Sequence, residues 1–330
     1  MSWKLFRRKP RVTKGRVLII GTEVATNGFE SGASIRLNGI RELLERCQME
    51  VTVVARSEST DSLKKDWDLV VLVSFATARH LRKARKCSKL VWFDATDSWR
   101  LTRFSLMRSG DLKQIPILIR DLFWLWTAPK VDLLSFITRR DAEKEKSWWR
   151  KRSIPAIYPV QNLERSINPS EKIRLIFVGD GKYGPNVRAI NFLRRVLDLL
   201  PKSSQIHIYG KGFENLDSRF VLHGYCASEK MYFERDIHLA PIESGAGLKL
   251  KVAVPLANGL KVISTPEGAS GFSQNSNLLL ATDEASFAAQ VLRTSGTSKS
   301  NNRKILKDIF EEDDTLQIIA WINQSIQSVA

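Results

Sequence analysis

A chain of 330 residues with 43% hydrophobic and 26% charged residues has the composition of a folded globular protein, and room for two domains with separate cores. Its three cysteines, Cys47, Cys87 and Cys226, are too few and too far apart for a disulfide framework or a metal site, and they suit a reducing compartment. The net charge of +17 is lopsided: residues 1–165 hold 33 Lys and Arg against 18 Asp and Glu, and residues 166–330 hold 19 against 17. The basic half is the one able to meet an anionic bilayer, nucleic acid or an acidic substrate.

The N-terminus, MSWKLFRRKPRVTKGR, is basic without an apolar core, so no signal peptide is expected. No run reaches the roughly 18 apolar residues of a membrane span; the nearest, Ile115 to Phe136, is interrupted by Arg120, Asp121, Lys130 and Asp132. Arg16 to Gly21 (RVLIIG) reads as a buried strand, and Thr22 to Ala33 as a loop with glycines at 28 and 32. A helix follows from Ser34 to Arg46, with Ile35, Ile40, Leu43 and Leu44 at near-helical spacing, and then a second strand from Glu50 to Ala55. Strand, glycine loop, helix and strand make a Rossmann-like opening. Leu69 to Ser74, Leu90 to Asp94 and Leu133 to Thr138 supply further strands, so the first half is a doubly wound α/β domain. In the segment WFDATDSWRLTR, Asp94 and Asp97 have the residue type of helix N-caps and turn formers.

Arg165 to Lys172 is polar, carries a proline and reads as a linker. A second α/β unit then begins with a strand at Arg174 to Val178, a loop at Gly179 to Asn186, a helix at Val187 to Leu200 and a strand at Gln205 to Tyr209. Gly179, Gly181 and Gly184 form a literal G-x-G-x-x-G. That pattern suggests a dinucleotide, but the acidic residue that should follow the next strand is replaced by Gly210-Lys211-Gly212. Histidines 207 and 238 lie on apolar strands and read as core residues.

Further on, Ile237 to Ile242 is a short apolar strand leading into Ser244-Gly245-Ala246-Gly247, which is almost free of side chains. A helix runs from Leu248 to Asn258-Gly259, and Lys261 to Thr265 forms another strand closed by Pro266 and Gly268. Small residues between a strand end and a helix start leave backbone N–H groups for an anion, and Lys249 and Lys251 add positive charge. The other reading of the two lysines is a solvated helix face. Residues 296–304 read as a surface loop, and Leu316 to Val329 as a final amphipathic helix.

Ala240-Pro241, Gly245, Gly247, Lys251, Ala257, Gly259, Val262, Ser264-Thr265, Gly268-Ala269 and Gly271 together resemble the donor-site segment of GT-B glycosyltransferases of family 4. The family's glutamate is replaced here by Val254. Phe177-Val178-Gly179, Tyr183, Pro185-Asn186, Ala189 and Phe192 resemble the start of that family's C-terminal domain. Gly32, Ala33, Arg36, Leu43-Leu44 and Val51 to Val53 resemble its N-terminal opening, and Asp94, Asp97, Ser98 and Arg100 its D-x-x-D-S loop beside the acceptor.

The resemblance implies an α/β fold of two Rossmann-like domains facing a central cleft. Residues 1–165 would form the basic acceptor domain, 166–315 the nucleotide-sugar domain, and 316–330 a helix packing back on the first. It implies a retaining, metal-independent transfer of sugar from a nucleotide-sugar donor, with no further cofactor, to a glycan or lipid-linked acceptor. Gly32, Ala33, Gly179, Lys182, Gly245, Ala246, Gly247, Lys249 and Lys251 would bind the donor, and Asp94 and Asp97 are the local candidates for catalysis. Valine at 254 cannot hydrogen-bond a ribose, which leaves open a transferase-like partner subunit that has lost its donor. The cluster Arg7, Arg8, Lys9, Arg11 and Lys14, with Arg79 to Lys86 and the pairs Trp124/Trp126 and Trp148/Trp149, implies a peripheral face for an anionic membrane on the cytoplasmic side. No nucleic-acid module is recognisable, so nucleic acid is not expected as a partner.

Overall fold

The computed structural model describes residues 15–27, 31–108, 112–126, 129–158, 163, 165–214, 216–226, 231–296, 310 and 314–327. Its strands are β1 (Arg16–Gly21), β2 (Glu50–Ala55), β3 (Trp67–Val73), β4 (Ser88–Thr96), β5 (Leu133–Phe136), β6 (Arg174–Val178), β7 (Ile206–Tyr209), β8 (Phe220–Gly224), β9 (Asp236–Ala240), β10 (Lys261–Ser264) and β11 (Leu278–Leu280). Its α-helices are α1 (Glu23–Thr26), α2 (Gly32–Arg46), α3 (Ser59–Ser62), α4 (Leu81–Cys87), α5 (Trp99–Arg108), α6 (Gln114–Trp126), α7 (Arg139–Lys146), α8 (Gly184–Leu199), α9 (Leu250–Ala257), α10 (Glu284–Ser295) and α11 (Thr315–Gln327).

The strands form two sheets, ordered β2-β1-β3-β4-β5 and β11-β10-β9-β6-β7-β8. Pairing is parallel along β2-β1-β3-β4 and across the second sheet. Parallel strands linked through helices are covered on both faces, so they read as continuous apolar runs. That accounts for VLII in β1 and LVVLV in β3, whose residues are 0–2% exposed. The result is two Rossmann-like α/β sheets, as the alternating strand and helix signals predict. By contact the chain divides into two compact units: Met1–Asp94 with Ala128–Leu134 and Leu316–Ala330, and Ala95–Thr127 with Ser135–Thr315.

In the first unit, α2 starts with a reciprocal cap. The Ser34 N–H donates to Ser31 Oγ at 3.1 Å, and the Ser31 N–H donates to Ser34 Oγ at 2.7 Å. Leu37, Ile40 and Leu44 bury one face of that helix. The C-terminal helix α11 belongs to the same unit: Ile318, Ile322 and Ile326 are buried at i, i+4 and i+8, and Ile326 lies against Gly15 at the start of β1. In the second unit, Phe177, Phe192, Leu193, Ile208, Leu239 and Phe287 form the core beneath the sheet, with Phe192 edge-on to Phe287 at 5.4 Å. His238, on the opposite face of β9 from Ile237 and Leu239 and stacked on Tyr232, is also buried, and burial lowers its pKa to about 3. His207 differs from its expected place in the core: it is half-buried, and its Nδ1 meets Nε2 of the exposed His223 at 2.8 Å. The reason is strand alternation: Ile206 and Ile208 face the core at 0% and 1% exposed, so His207 points to the opposite face of β7, next to the edge strand β8.

Candidate functional site

In the second unit, the loops at the carboxyl ends of β6 and β9 carry most of the predicted donor residues. The loop after β9 is the most constrained. Gly245 and Gly247 have φ of +134° and +72°, in the region that favours glycine. A Cβ on Gly247 would stand 2.9 Å from the Asp97 Cβ, so the close approach of Asp97 also demands glycine. The Gly247 N–H donates to Oδ2 of Asp141 at 2.8 Å. Asp141 lies in the first turn of α7, whose N-cap Thr138 accepts the Asp141 N–H at 3.1 Å. Burial raises the Asp141 pKa, opposed by the Gly247 N–H and by the charge of Lys249.

Helix α9 then begins at Leu250, two residues later than the sequence suggests. The positive φ of Gly247 and the extended Lys249 delay it, and no side chain caps its first turn. The uncapped N–H groups and the axial dipole make this end of α9 electropositive. Lys249 Nζ donates to the carbonyls of Gly247 at 2.8 Å and Ala246 at 3.2 Å. Lys251 Nζ donates to Asn186 Oδ1 at 2.6 Å and lies 4.4 Å from the Phe177 ring centroid. Burial pushes the Lys249 ammonium below its ordinary pKa. Burial, and then the charge of Lys249, lowers Lys251 to about 7. Neither lysine lies on a fully solvated helix face; both are half-buried. Val254, in the place of the family's glutamate, is 5% exposed.

The G-x-G-x-x-G loop does something other than cradle a phosphate. The Gly179 N–H donates to the Tyr209 carbonyl at 3.0 Å, and the Gly181 N–H to the Lys211 carbonyl at 2.7 Å. The Lys182 N–H donates to Asp180 Oδ1 at 2.8 Å. A Cβ on Gly181 would stand 2.2 Å from the Gly212 carbonyl oxygen. These glycines let two loops lie side by side, and their amides are already bonded, which removes the basis for a dinucleotide reading. The Lys182 side chain is exposed. Asn186, buried at the start of α8, donates to the Asp180 carbonyl at 2.9 Å while it accepts Lys251.

The two carboxylates that the sequence pairs have different surroundings. Asp94, in the first unit, is 0% exposed and takes Arg36 Nε on Oδ2 at 3.0 Å and Nη2 on Oδ1 at 2.5 Å. Its bidentate ion pair is a buried structural tie. Asp97, in the second unit, is half-buried beside Gly247, and its charge contributes with burial to raising the Tyr183 pKa. Thr96, just before it, is held at φ +67°, an unusual conformation for a β-branched residue. Ser98 caps α5 and donates to the buried Glu145, which Arg100 also meets at 3.3 Å. Burial raises the pKa of Glu145. Gly32 and Ala33 belong to the first unit, where they are the opening residues of α2.

Several neighbours of the loop carry no local sequence signal. Arg188 Nη2 donates to Ser244 Oγ at 2.6 Å, and Arg140 Nη1 to Glu267 Oε1 at 2.8 Å. Asp141 and Glu267 both raise the Lys249 pKa against its burial. Among the described residues, no group of three or more His, Cys, Asp or Glu side chains could hold a metal ion.

The expected membrane face is only partly described. Arg7, Arg8, Lys9, Arg11 and Lys14, and the side chains of Trp124 and Trp126, lie outside the described residues. Arg79, Arg82, Lys83, Arg85 and Lys86 are exposed around buried Leu81, Ala84 and Cys87. Trp148 is exposed, with Arg100 stacked 5.4 Å from its ring centroid. Among the described residues, no helix is long and apolar enough to cross a membrane.

Two parallel Rossmann-like sheets in one chain define the GT-B fold class, and solved structures carry the same fold. Anabaena HepE, solved in complex with UDP-glucose, superposes with a TM-score of 0.63 at 12% identity, over 95% of this chain and 100% of that one. AviGT4, a glycosyltransferase involved in avilamycin A biosynthesis, gives 0.56 at 11% identity, over 96% and 98% of the two chains. S. aureus TarM gives 0.52 at 13% identity, over 78% of this chain and 55% of that one. No protein-family model and no curated protein sequence matches the chain.

Proposed function

We propose that this chain is a glycosyltransferase of the family 4 type, which binds a nucleotide sugar at the carboxyl edge of its second sheet. The observation that carries the reading is the pair Lys249 and Lys251, half-buried at the uncapped start of α9 beside a glycine turn. Half-buried ammonium groups without a carboxylate in hydrogen-bond contact gain most from an incoming polyanion. The solved structures of like fold support it through their bound ligand, because HepE holds UDP-glucose.

In the proposed reaction the sugar passes to an acceptor hydroxyl, and a nucleoside diphosphate leaves. Negative charge builds on the leaving diphosphate, and fixed cations at that place lower the barrier without a metal. Lys249, Lys251 and the Gly245–Gly247 segment fill this role, with Lys182 at the neighbouring loop. Asp97 is the carboxylate kept near the chemistry; Asp94 is committed to Arg36. The reaction is proposed to retain anomeric configuration. Residues 1–165 are proposed as the acceptor half and 166–315 as the donor half. The acceptor is a glycan or lipid-linked sugar met at the cytoplasmic face of an anionic membrane, in keeping with the basic first half.

The second reading is a partner subunit without donor, favoured by Val254, which offers a ribose no hydrogen bond. Calorimetric titration with UDP and with GDP separates the two. Binding of either that is weakened by Lys249→Ala/Lys251→Ala supports the transferase. No heat from either nucleotide leaves the partner-subunit reading.

A further inference from the structure

Helices α5 and α6 pack on each other, and α6 turns only part of its surface inward: Leu118 is 7% and Asp121 6% exposed. On the outer face, Ile115 is 38% and Ile119 62% exposed, and Leu112, in the turn just before the helix, is 67% exposed. Within α6, Ile115, Ile119 and Phe123 follow at i, i+4 and i+8 and line one side of the helix. Phe123 is 64% exposed, and Phe104 of α5 is 40% exposed. A contiguous row of large apolar side chains on a surface helix marks a contact with a partner or a membrane.

Charge selects between the possible occupants. Residues 99–126 carry Arg100, Arg103, Arg108, Lys113 and Arg120 against Asp111 and Asp121; Arg100 meets the buried Glu145, and Asp121 is buried and held by Arg120 at 2.7 Å. Arg120 is itself 71% exposed next to Ile119, and Lys113 is exposed next to Leu112. The other acid described in residues 95–126, Asp97, is half-buried. The face is therefore apolar and positive, with no exposed carboxylate among its described residues. A second copy would bring the same positive charge and be repelled. An anionic lipid surface offers both complements at once: acyl chains for the isoleucines and headgroup phosphates for Arg120 and Lys113.

We propose that the α5–α6 hairpin is the element that docks the protein on an anionic bilayer, with the Ile115–Ile119–Phe123 row entering the headgroup boundary. This rests on the membrane reading given under Proposed function, and it names a different surface from the basic α4. Helix α6, at 13 residues and about 20 Å, lies in the interface rather than crossing it.

The test is flotation of the full chain with vesicles of phosphatidylglycerol and phosphatidylcholine, compared with phosphatidylcholine alone, at low and high salt. Ile115→Glu/Ile119→Glu is run beside the parent, and equal melting temperatures show that both are folded. The expected result is binding of the parent to the anionic vesicles at low salt, with partitioning at least about tenfold lower for the variant. If the parent floats and the variant floats equally, the hairpin assignment is overturned while the membrane reading stands. A parent that floats with neither vesicle overturns both. Equal binding to neutral and anionic vesicles overturns the charge argument. Lipid-independent dimerisation that the two glutamates abolish assigns the face to a second copy instead.

Discussion

Lys251 sets up a proton-linked test of the donor site. Its ammonium is lowered from the ordinary 10.5 to about 7 by burial and by Lys249, and its hydrogen-bond acceptor is the neutral Asn186 side chain. A diphosphate placed against it restores the charged form, so between pH 7 and the restored value each ligand bound takes up as much as one proton. The free ammonium is roughly one part in four at pH 7.5 and one in a hundred at pH 9.0, so the UDP affinity should fall roughly 25-fold, or about 1.9 kcal/mol. The nucleotide's own last ionisation lies near pH 6 and is complete across that range. Calorimetry in two buffers of different ionisation heat reads both the affinity and the protons taken up. In Lys251→Met the slope should vanish and binding should be weaker at pH 7.5. An affinity that stays flat from pH 7.5 to 9.0 in the parent, or an unchanged slope in Lys251→Met, refutes the reasoning. Without ligand, the same lysine acts on folding in the other direction. Between about 7 and 10.5 the unfolded chain holds a proton that the folded one has lost, so its contribution to stability rises with pH through that window.

Removing one partner of the buried Arg36–Asp94 pair, as in Asp94→Ala, should cost about 3–5 kcal/mol in denaturant unfolding; a loss under about 1 kcal/mol would show that the pair is not desolvated as described. Gly247→Ala should cost roughly 1–2 kcal/mol of backbone strain and also displace Asp97, lowering both the melting temperature and the UDP affinity; an unchanged melt would count against the positive φ. The double variant Lys249→Ala/Lys251→Ala should lose a few kcal/mol of UDP binding, at about 1.5–3 kcal/mol for each charge-assisted bond.

The α/β pattern was readable because buried parallel strands write themselves as apolar runs and glycine punctuates their ends, as in β1, β6 and β9. The place of Lys249 and Lys251 was readable for the same reason: they follow a glycine turn that opens a helix. Their condition was not. Asn186 lies 65 residues before Lys251, and Asp141 lies 106 residues before Gly247. No local spacing announces either contact. Asp94 and Asp97 look alike three residues apart, yet tertiary packing hands one to Arg36 and leaves the other beside the glycine turn. The row on α6 was concealed too, because an apolar run in sequence does not tell which of its residues face inward.

The bonded amides of the Gly179–Gly184 loop bear on how this edge of the sheet moves. Gly179 and Gly181 tie the turn after β6 to Tyr209 and Lys211, and Gly210 ties that stretch to Gly224 at the end of β8. Asn186 carries the chain of bonds on to Lys251, and Arg188 to Ser244. Four turns widely separated in sequence are thereby braced like members of a truss. Hydrogen exchange at Gly179, Gly181 and Gly210 should open together rather than one by one. Stiffness at the far strut also becomes a determinant of where the Lys251 ammonium waits: a bulky side chain at position 212, whose φ is +76°, would loosen a lysine that it never touches.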